Sequence, residues 1–405
     1  MTRIVRRGMP ATGRVSLVAL VTGIACTSCG EPEPARQYRL TVDTALSGFP
    51  TIHHSEFASV SADWTIVEDL RIGSVDGDEP TVFSEIVTFL IDRDKWLYIL
   101  DQMSQEIRVF DSGGSFRFAF GREGSGPGEL RSAAGLAWSS HQTVWVSDFR
   151  NQRYSEFARS GQLLGTWPGR VPIFAFGGTI GGVDDDGSLY EEVVAGDPQK
   201  YAHFVRRLDP RTGRADSVVL TNVRAAPGYK VDRVELPVPF EWEFVWRADD
   251  RGRIWTARTD EYALLCRTVA GDTVLRIVTD LRPNLVTPEE RRLRISGLED
   301  LIRQVGGRGS LDYSRIPDVH PLLESFDVDD HGRVWVRRVT RDRLVRFDVF
   351  SMNGQFIMAV DGPWSVPRQW PVRIAGNSVA ALVKDSLGVS YIVRGSLQRK
   401  VGAHQ

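Results

Sequence analysis

The chain has 405 residues, a formal charge of −2, 42% hydrophobic and 25% charged residues. That is ordinary globular composition with enough apolar material for a core. The charge balance excludes a whole-protein field that would gather nucleic acid or an anionic membrane surface, and three cysteines exclude a disulfide framework.

The first segment carries Arg3, Arg6, Arg7 and Arg14 and no acid, followed by an apolar run of 11 residues, Val15 to Ala25. A basic stretch before a short apolar one predicts a secretory signal over 1–25, because the run is too short to span a bilayer as a mature helix. Gly23-Ile24-Ala25-Cys26 resembles the bacterial lipobox, with Gly23 where Leu is usual; Cys29 after Thr27-Ser28 is the alternative site. The resemblance implies acylation of the cysteine and export to the cell envelope, periplasmic or outer-surface side, with membrane contact through the lipid. Residues 26–37, polar and Pro-rich, then read as a flexible tether.

From 38 to 400 the sequence predicts one all-β domain built from a recurring phrase. Trp64 to Ile72 reads as a strand. Asp92-Arg-Asp-Lys-Trp-Leu-Tyr98 follows, then Ser139-Ser-His-Gln-Thr-Val-Trp145 and Asp184-Asp-Asp-Gly-Ser-Leu-Tyr190. Asp249-Asp-Arg-Gly-Arg-Ile-Trp255 and Asp329-Asp-His-Gly-Arg-Val-Trp335 continue the series, and Val372 to Ala380 is a degenerate sixth copy with Ala380 in the aromatic slot. The aligned aromatics lie 47, 45, 65 and 80 residues apart. A second phrase with alternating apolar positions follows each clear copy, for instance Ile107-Arg-Val-Phe-Asp-Ser-Gly113 and Phe347-Asp-Val-Phe-Ser-Met-Asn-Gly354. Two hairpins per unit make a four-stranded antiparallel sheet, and a period of about 40 to 50 residues is the size of a propeller blade. The expected fold is a six-bladed β-propeller. Trp64 to Ile72 is expected to be the outer strand of its last blade, closing the ring and removing exposed edges.

Phe120-Gly-Arg-Glu-Gly-Ser-Gly-Pro-Gly-Glu-Leu130 and Val146-Ser-Asp-Phe-Arg-Asn-Gln-Arg153 resemble the blade connection and strand signature of NHL repeats. The likeness is specific over residues 84–168 and is pattern alone over 173–395. It implies that Asp148, Asn151 and Arg153 tie a loop together and to its neighbour, a structural role.

Two insertions interrupt the period, at about 222–239 and 282–321. The first holds three prolines and reads as a long loop. The second contains Thr287 to Val305, where Thr287 and Glu290 form a capping box, Pro288 suits the first turn, and Leu298, Leu301, Ile302 and Val305 make an apolar stripe ended by Gly306-Gly307. This predicts an amphipathic helix on one face of the propeller.

No phosphate-cradling loop, nucleophile elbow or metal-spaced histidine set is present. His53 and His54 sit near the leader, and Cys266 lies mid-strand, where burial is the expectation. Glu85, Glu243 and Glu324 each precede an inner strand and can meet at the channel mouth; three carboxylates there would hold calcium or a cationic ligand, as the resemblance to propeller lactonases and lyases implies. Against that, their depth differs by one or two residues, which turns side chains to opposite faces. Trp138 and Trp242 are candidates for stacking on a sugar or apolar ligand. The missing catalytic set favours an envelope-anchored binding or scaffold protein for a protein, glycan or small molecule; a metal-dependent propeller enzyme is the alternative.

Overall fold

The computed structural model describes residues 38–44, 48–77, 79–169, 171, 180–195, 202–221, 228–231, 234–304 and 311–400. The signal, the tether, Cys26 and Cys29, together with Val305 and Gly306-Gly307, lie outside the described residues.

In chain order the strands begin with β1 (Arg39–Asp43), β2 (Thr51–Ser55) and β3 (Trp64–Ile72). The next are β4 (Ile86–Ile91), β5 (Leu97–Asp101), β6 (Glu106–Phe110) and β7 (Phe116–Phe120), a four-stranded antiparallel sheet in sequence order. β8 (Ala133–Trp138), β9 (Thr143–Asp148), β10 (Arg153–Ala158) and β11 (Leu163–Pro168) form a second such sheet. A third comprises β12 (Ile180–Val183), β13 (Leu189–Ala195), β14 (Ala202–Asp209) and β15 (Arg214–Thr221). A short hairpin follows, β16 (Tyr229–Val231) and β17 (Val234–Leu236).

β18 (Phe244–Ala248), β19 (Ile254–Arg258), β20 (Ala263–Arg267) and β21 (Thr273–Thr279) make the next sheet, which the β1–β2 hairpin extends by parallel pairing of β2 on β21. After helix α1 (Pro288–Gln304) come β22 (Leu323–Val328), β23 (Val334–Arg338), β24 (Leu344–Phe350) and β25 (Phe356–Ser365). The last sheet is β26 (Val372–Ala375), β27 (Ser378–Lys384) and β28 (Ser390–Arg399), completed by β3 from the other end of the chain. β3 pairs antiparallel with β28 from Ile72 opposite Ile392 to Trp64 opposite Arg399. Strands β4, β8, β12, β18, β22 and β26 touch in a closed circuit, β26 returning to β4. The fold is a β-propeller, with these strands innermost.

The repeated phrase explains the register. Tyr98, Trp145, Tyr190, Trp255 and Trp335 are all 0% exposed, packed between neighbouring sheets. Full burial of each large ring contributes on the order of 1.5–3 kcal/mol. The turn acid fixes that ring: Asp329 Oδ1 accepts the N–H groups of His331 (3.0 Å) and Arg333 (2.8 Å), and its Oδ2 accepts the Trp335 indole N–H at 2.9 Å. Asp249 does the same for Arg251, Arg253 and Trp255, and Asp184 Oδ2 accepts the Tyr190 hydroxyl at 3.2 Å. In the second sheet Ser139 stands in the acid's place, and the buried Trp145 Nε1 has no partner among the described residues.

The two insertions come together. Tyr229, Val231, Leu236 and Val238 alternate apolar and pack with Leu298 and Ile302 of α1. The segment read as a long loop therefore contains a hairpin; prolines at 227, 237 and 239 masked its period-two pattern. The capping box of α1 is formed, Thr287 N–H donating to Glu290 Oε2 (3.0 Å) and Glu290 N–H to Thr287 Oγ1 (3.2 Å). Leu298 and Ile302 are buried, while Leu301 is exposed.

Asp329→Ala removes the acceptor of two backbone donors and of one indole. It is expected to lower the unfolding free energy in urea by about 2–4 kcal/mol; a loss below about 1 kcal/mol would mean the turn register is fixed elsewhere.

Candidate functional site

Because every inner strand runs in the same sense, the strand starts gather at one end of the channel and the Asp turns at the other. At the start end, the insertions build a cavity of about 1390 Å³. Its wall includes Phe240, Glu243, Leu293, Gly297, Glu324 and Arg368. Phe240 stands edge-on to His320, with ring centroids 4.9 Å apart, and His320 Nε2 lies 3.2 Å from Glu290 Oε2 on α1. The helix is thus bound through its cap to the connection that leads into β22.

Glu243 and Glu324 share this wall, but both face cations. Arg368 Nη2 lies 2.9 Å from Glu243 Oε2, and Arg368 Nε donates to the Glu324 carbonyl at 3.2 Å. Arg337, almost wholly buried, places its Nε 2.7 Å from Glu324 Oε2 and donates from Nη2 to the Arg368 carbonyl at 2.8 Å. Burial raises the Glu324 carboxyl, while Arg337 and Arg368 hold it down. The two glutamates and two arginines form one mesh linking β18, β22, β23 and the approach to β26.

Glu85 is exposed and is not part of this wall, and its backbone N–H donates to Asp101 Oδ1 at a long 3.4 Å. Of the three carboxylates, two are brought together and the third is not. Trp242 lies beneath the Arg258 guanidinium, 4.2 Å from its ring centroid, and lines neither cavity. Trp138 is at the opposite end of the channel, half-buried and edge-on to Tyr98 with centroids 5.0 Å apart.

That opposite end holds a second cavity, of about 420 Å³, lined by the ends of the inner strands and their turns. Arg247, Asp327 and Arg373 line it together with Leu90, Ala137 and Gly182. None of these charged residues stands out in the sequence as a site candidate, and neither do Arg337 and Arg368. The signal was available for most of the channel set: five of the six lie two residues before the turn position of their repeat, while Arg373 belongs to the degenerate copy, whose turn is shorter.

The loop signature has a clear structural use. Asn151 Nδ2 donates to Asp148 Oδ2 (2.7 Å) and to the Gly124 carbonyl (2.9 Å), while Arg153 donates to the carbonyls of Ser125 (3.0 Å), Gly126 (2.8 Å) and Glu129. At Gly121, φ of 78° is left-handed, and a Cβ would lie 3.1 Å from the Gln105 carbonyl oxygen. The tight crossing between sheets therefore requires glycine there.

For a metal, the described residues offer Asp329, Asp330 and His331, whose donor atoms lie within 4.8 Å of one another. Those atoms are already used: Asp329 holds Arg333 and Trp335, and His331 Nδ1 is 2.9 Å from Asp330 Oδ1. His54 is buried with Nε2 2.8 Å from the Gly354 carbonyl, and burial lowers its pKa; His53 is exposed. Cys266 is buried, which pushes its thiol up to about 12. No described helix is long and apolar enough to cross a membrane.

No family model and no curated protein matches the sequence. Among solved structures, a member of the DUF4221 family from Bacteroides vulgatus is 10% identical, covers 84% of this chain and 99% of its own, and gives a TM-score of 0.48. A gluconolactonase from Xanthomonas campestris is 13% identical over 83% of this chain and 99% of its own, with a TM-score of 0.40. A calcium-binding regucalcin from Agrobacterium tumefaciens is 9% identical, with 83% and 97% covered and a TM-score of 0.40. The assignment as a β-propeller rests on the strand pairing described above.

The mesh makes the two glutamates unequal. Glu324→Gln strands the buried Arg337 charge and is expected to cost about 3 kcal/mol in urea unfolding. Glu243, half exposed, is expected to cost under about 1 kcal/mol as Glu243→Gln. Equal losses would show that the mesh does not carry the stability of this end.

Proposed function

We propose that the chain is an exported, lipid-anchored, six-bladed propeller of the NHL kind that acts as a binding module of the cell envelope. Its partner, a protein, glycan or small molecule, occupies the cavity between α1 and the start end of the channel. The observation that carries this is the cavity itself: about 1390 Å³, with one wall made by the helix that interrupts the repeat. Binding residues collect on such insertions because the scaffold beneath them is rigid. The closed circuit of inner strands supports the blade count, and the Asp148, Asn151 and Arg153 tie supports the NHL likeness.

The metal-dependent alternative needs an open carboxylate cluster. Glu243 and Glu324 are matched by Arg368 and Arg337, and Glu85 is off the wall, so a calcium ion would have to displace Arg368. This favours binding over catalysis.

Gly297 lines the cavity on α1, and a Cβ added there meets nothing within 4 Å. Gly297→Ala is expected to stabilise the protein by up to about 1 kcal/mol through helix propensity and to leave binding intact. Gly297→Trp fills the space. In thermal-shift screening of the detergent-purified mature chain against soluble glycans, peptides and calcium, at least one organic ligand should raise Tm with the wild type and Gly297→Ala but not with Gly297→Trp. A shift that survives Gly297→Trp moves binding elsewhere, and calcium binding abolished by Glu243→Gln would put the enzyme reading first.

Anchoring is tested separately. Cys26→Ser is expected to abolish palmitate incorporation in the native host and release the chain from membranes; loss with Cys29→Ser alone would reassign the acylated residue.

A further inference from the structure

At the turn end of the channel, one register layer can be followed around the ring. Leu90 pairs with Tyr98, Ala137 with Trp145, Gly182 with Tyr190, Arg247 with Trp255, Asp327 with Trp335 and Arg373 with Ala380. Each of the six inner-strand residues is opposite the aligned ring of its repeat, or opposite Ala380 in the degenerate copy. The layer is divided in two. Three consecutive strands present Leu, Ala and Gly; the next three present Arg, Asp and Arg. Gly182 shows bare backbone for a packing reason, since its Cβ would fall 2.3 Å from the Ala248 carbonyl oxygen.

The charged half does not balance. Asp327 is shared between two guanidinium groups, at 3.9 Å from Arg247 Nε and 3.8 Å from Arg373 Nη1. Both are longer than a charge-assisted hydrogen bond. The bonds these arginines do make are to the carbonyls beside them: Arg247 Nη1 to Trp246 (2.8 Å) and Arg373 Nη1 to Val372 (3.3 Å). A guanidinium has five N–H donors, and among the described residues neither arginine makes a further hydrogen bond. Burial holds Arg373 below its ordinary range; Asp327 opposes that shift and Arg247 adds to it.

Most acids nearer the rim are held by other arginines. Asp92 is 2.6 Å from Arg159, Asp249 is 2.7 Å from Arg253, Asp329 is 2.6 Å from Arg333, and Asp330 is 2.9 Å from Arg93. Asp94 shares Arg159 with Asp92, at 2.6 Å, which leaves the rim acidic. An interior with one net positive charge beneath an acidic rim suits a single negative charge and disfavours a dianion.

We propose that this end of the channel binds a small monocarboxylate, its anionic group bridging Arg247 and Arg373 and its apolar body against Leu90, Ala137 and Gly182. The planar guanidinium fork matches a carboxylate in two-point contact, and the cavity of about 420 Å³ is within the range of small-molecule sites. The site is separate from the α1 cavity, at the other end of the inner strands.

The test is calorimetric titration of the mature chain with hexanoate at low ionic strength, beside hexylamine and inorganic phosphate. Saturable heat is expected with hexanoate and none with hexylamine. Arg247→Gln and Arg373→Gln should each weaken hexanoate at least about tenfold, the loss of one charge-assisted contact. Asp327→Asn removes the competing carboxylate and should tighten binding by about tenfold. Gly297→Trp should leave it unchanged, so failure of the α1 cavity reading and failure of this one are distinguishable. Silence with hexanoate, a preference for phosphate, or binding unaffected by Arg373→Gln overturns the proposal. If Arg373→Gln does not fold, the near-isosteric Asp327→Asn decides, and no tightening there overturns it too.

Discussion

The pairing of β3 with β28 is the constraint from which the other features follow. A row of sheets cannot become a ring unless its last member meets its first, and here the last sheet lacks an outer strand until the N-terminal segment supplies one. With that strand in place, the inner strands are held in a circuit, all running in one sense. The channel therefore has two chemically different ends. One is made of strand starts and inter-sheet connections, where insertions can grow without disturbing the ladders. The other is made of short turns, five of them of one length and four of these headed by Asp, where the strand residue opposite each aligned ring position is free to vary.

The architecture was legible in the sequence because a single device is repeated. An acid in the turn and an aromatic six residues later are bonded to each other in the folded chain, so both types recur together, as at Asp249 with Trp255 and Asp329 with Trp335. The role of β3 was legible too, since a strand before the first repeat has one place to go in a closed ring. What escaped reading had no repeat behind it. The β1–β2 hairpin adds to the outside of a complete sheet, and β16–β17 is hidden among prolines. At the mouth, upstream carboxylates were visible, but Arg337 reaches Glu324 across the β22–β23 hairpin and Arg368 comes from a distant stretch of chain, and neither pairing has a repeat to announce it. Glu85, like Glu243, immediately precedes its inner strand but does not share its surroundings.

Arginine does much of the internal work in this molecule. Forty-five of the fifty basic residues are arginine, and many bind backbone carbonyls as well as carboxylates: Arg153 holds the inter-sheet loop, Arg346 reaches the Val60 carbonyl, and Arg394 reaches that of Lys95. A planar fork with several donors joins two segments in one side chain, which a lysine ammonium does less well. Scattered in the sequence, these residues look like compositional bias. In the fold they are cross-links between consecutive sheets. Against that background Arg247 and Arg373 differ, because their carbonyl bonds are to adjacent residues and join nothing.

The late arrival of β28 has a further consequence, for the order in which the molecule can be made. Synthesis proceeds from the N-terminus, so β3 is present from the start while its partner is the final strand of the domain. Throughout elongation the growing protein carries an unmatched edge at Trp64 to Ile72, and the most recently finished sheet supplies another. Such edges invite pairing with other chains, and contacts this distant in sequence are slow to form. The apolar faces of β3 are modest, with Val67 exposed even in the finished ring and charged residues Glu68, Asp69 and Arg71 along it. Those charges serve twice: in the closed propeller Glu68 accepts the Trp364 indole N–H and Asp69 accepts from Arg394 and Ser396 of β28, and before closure they guard the open edge.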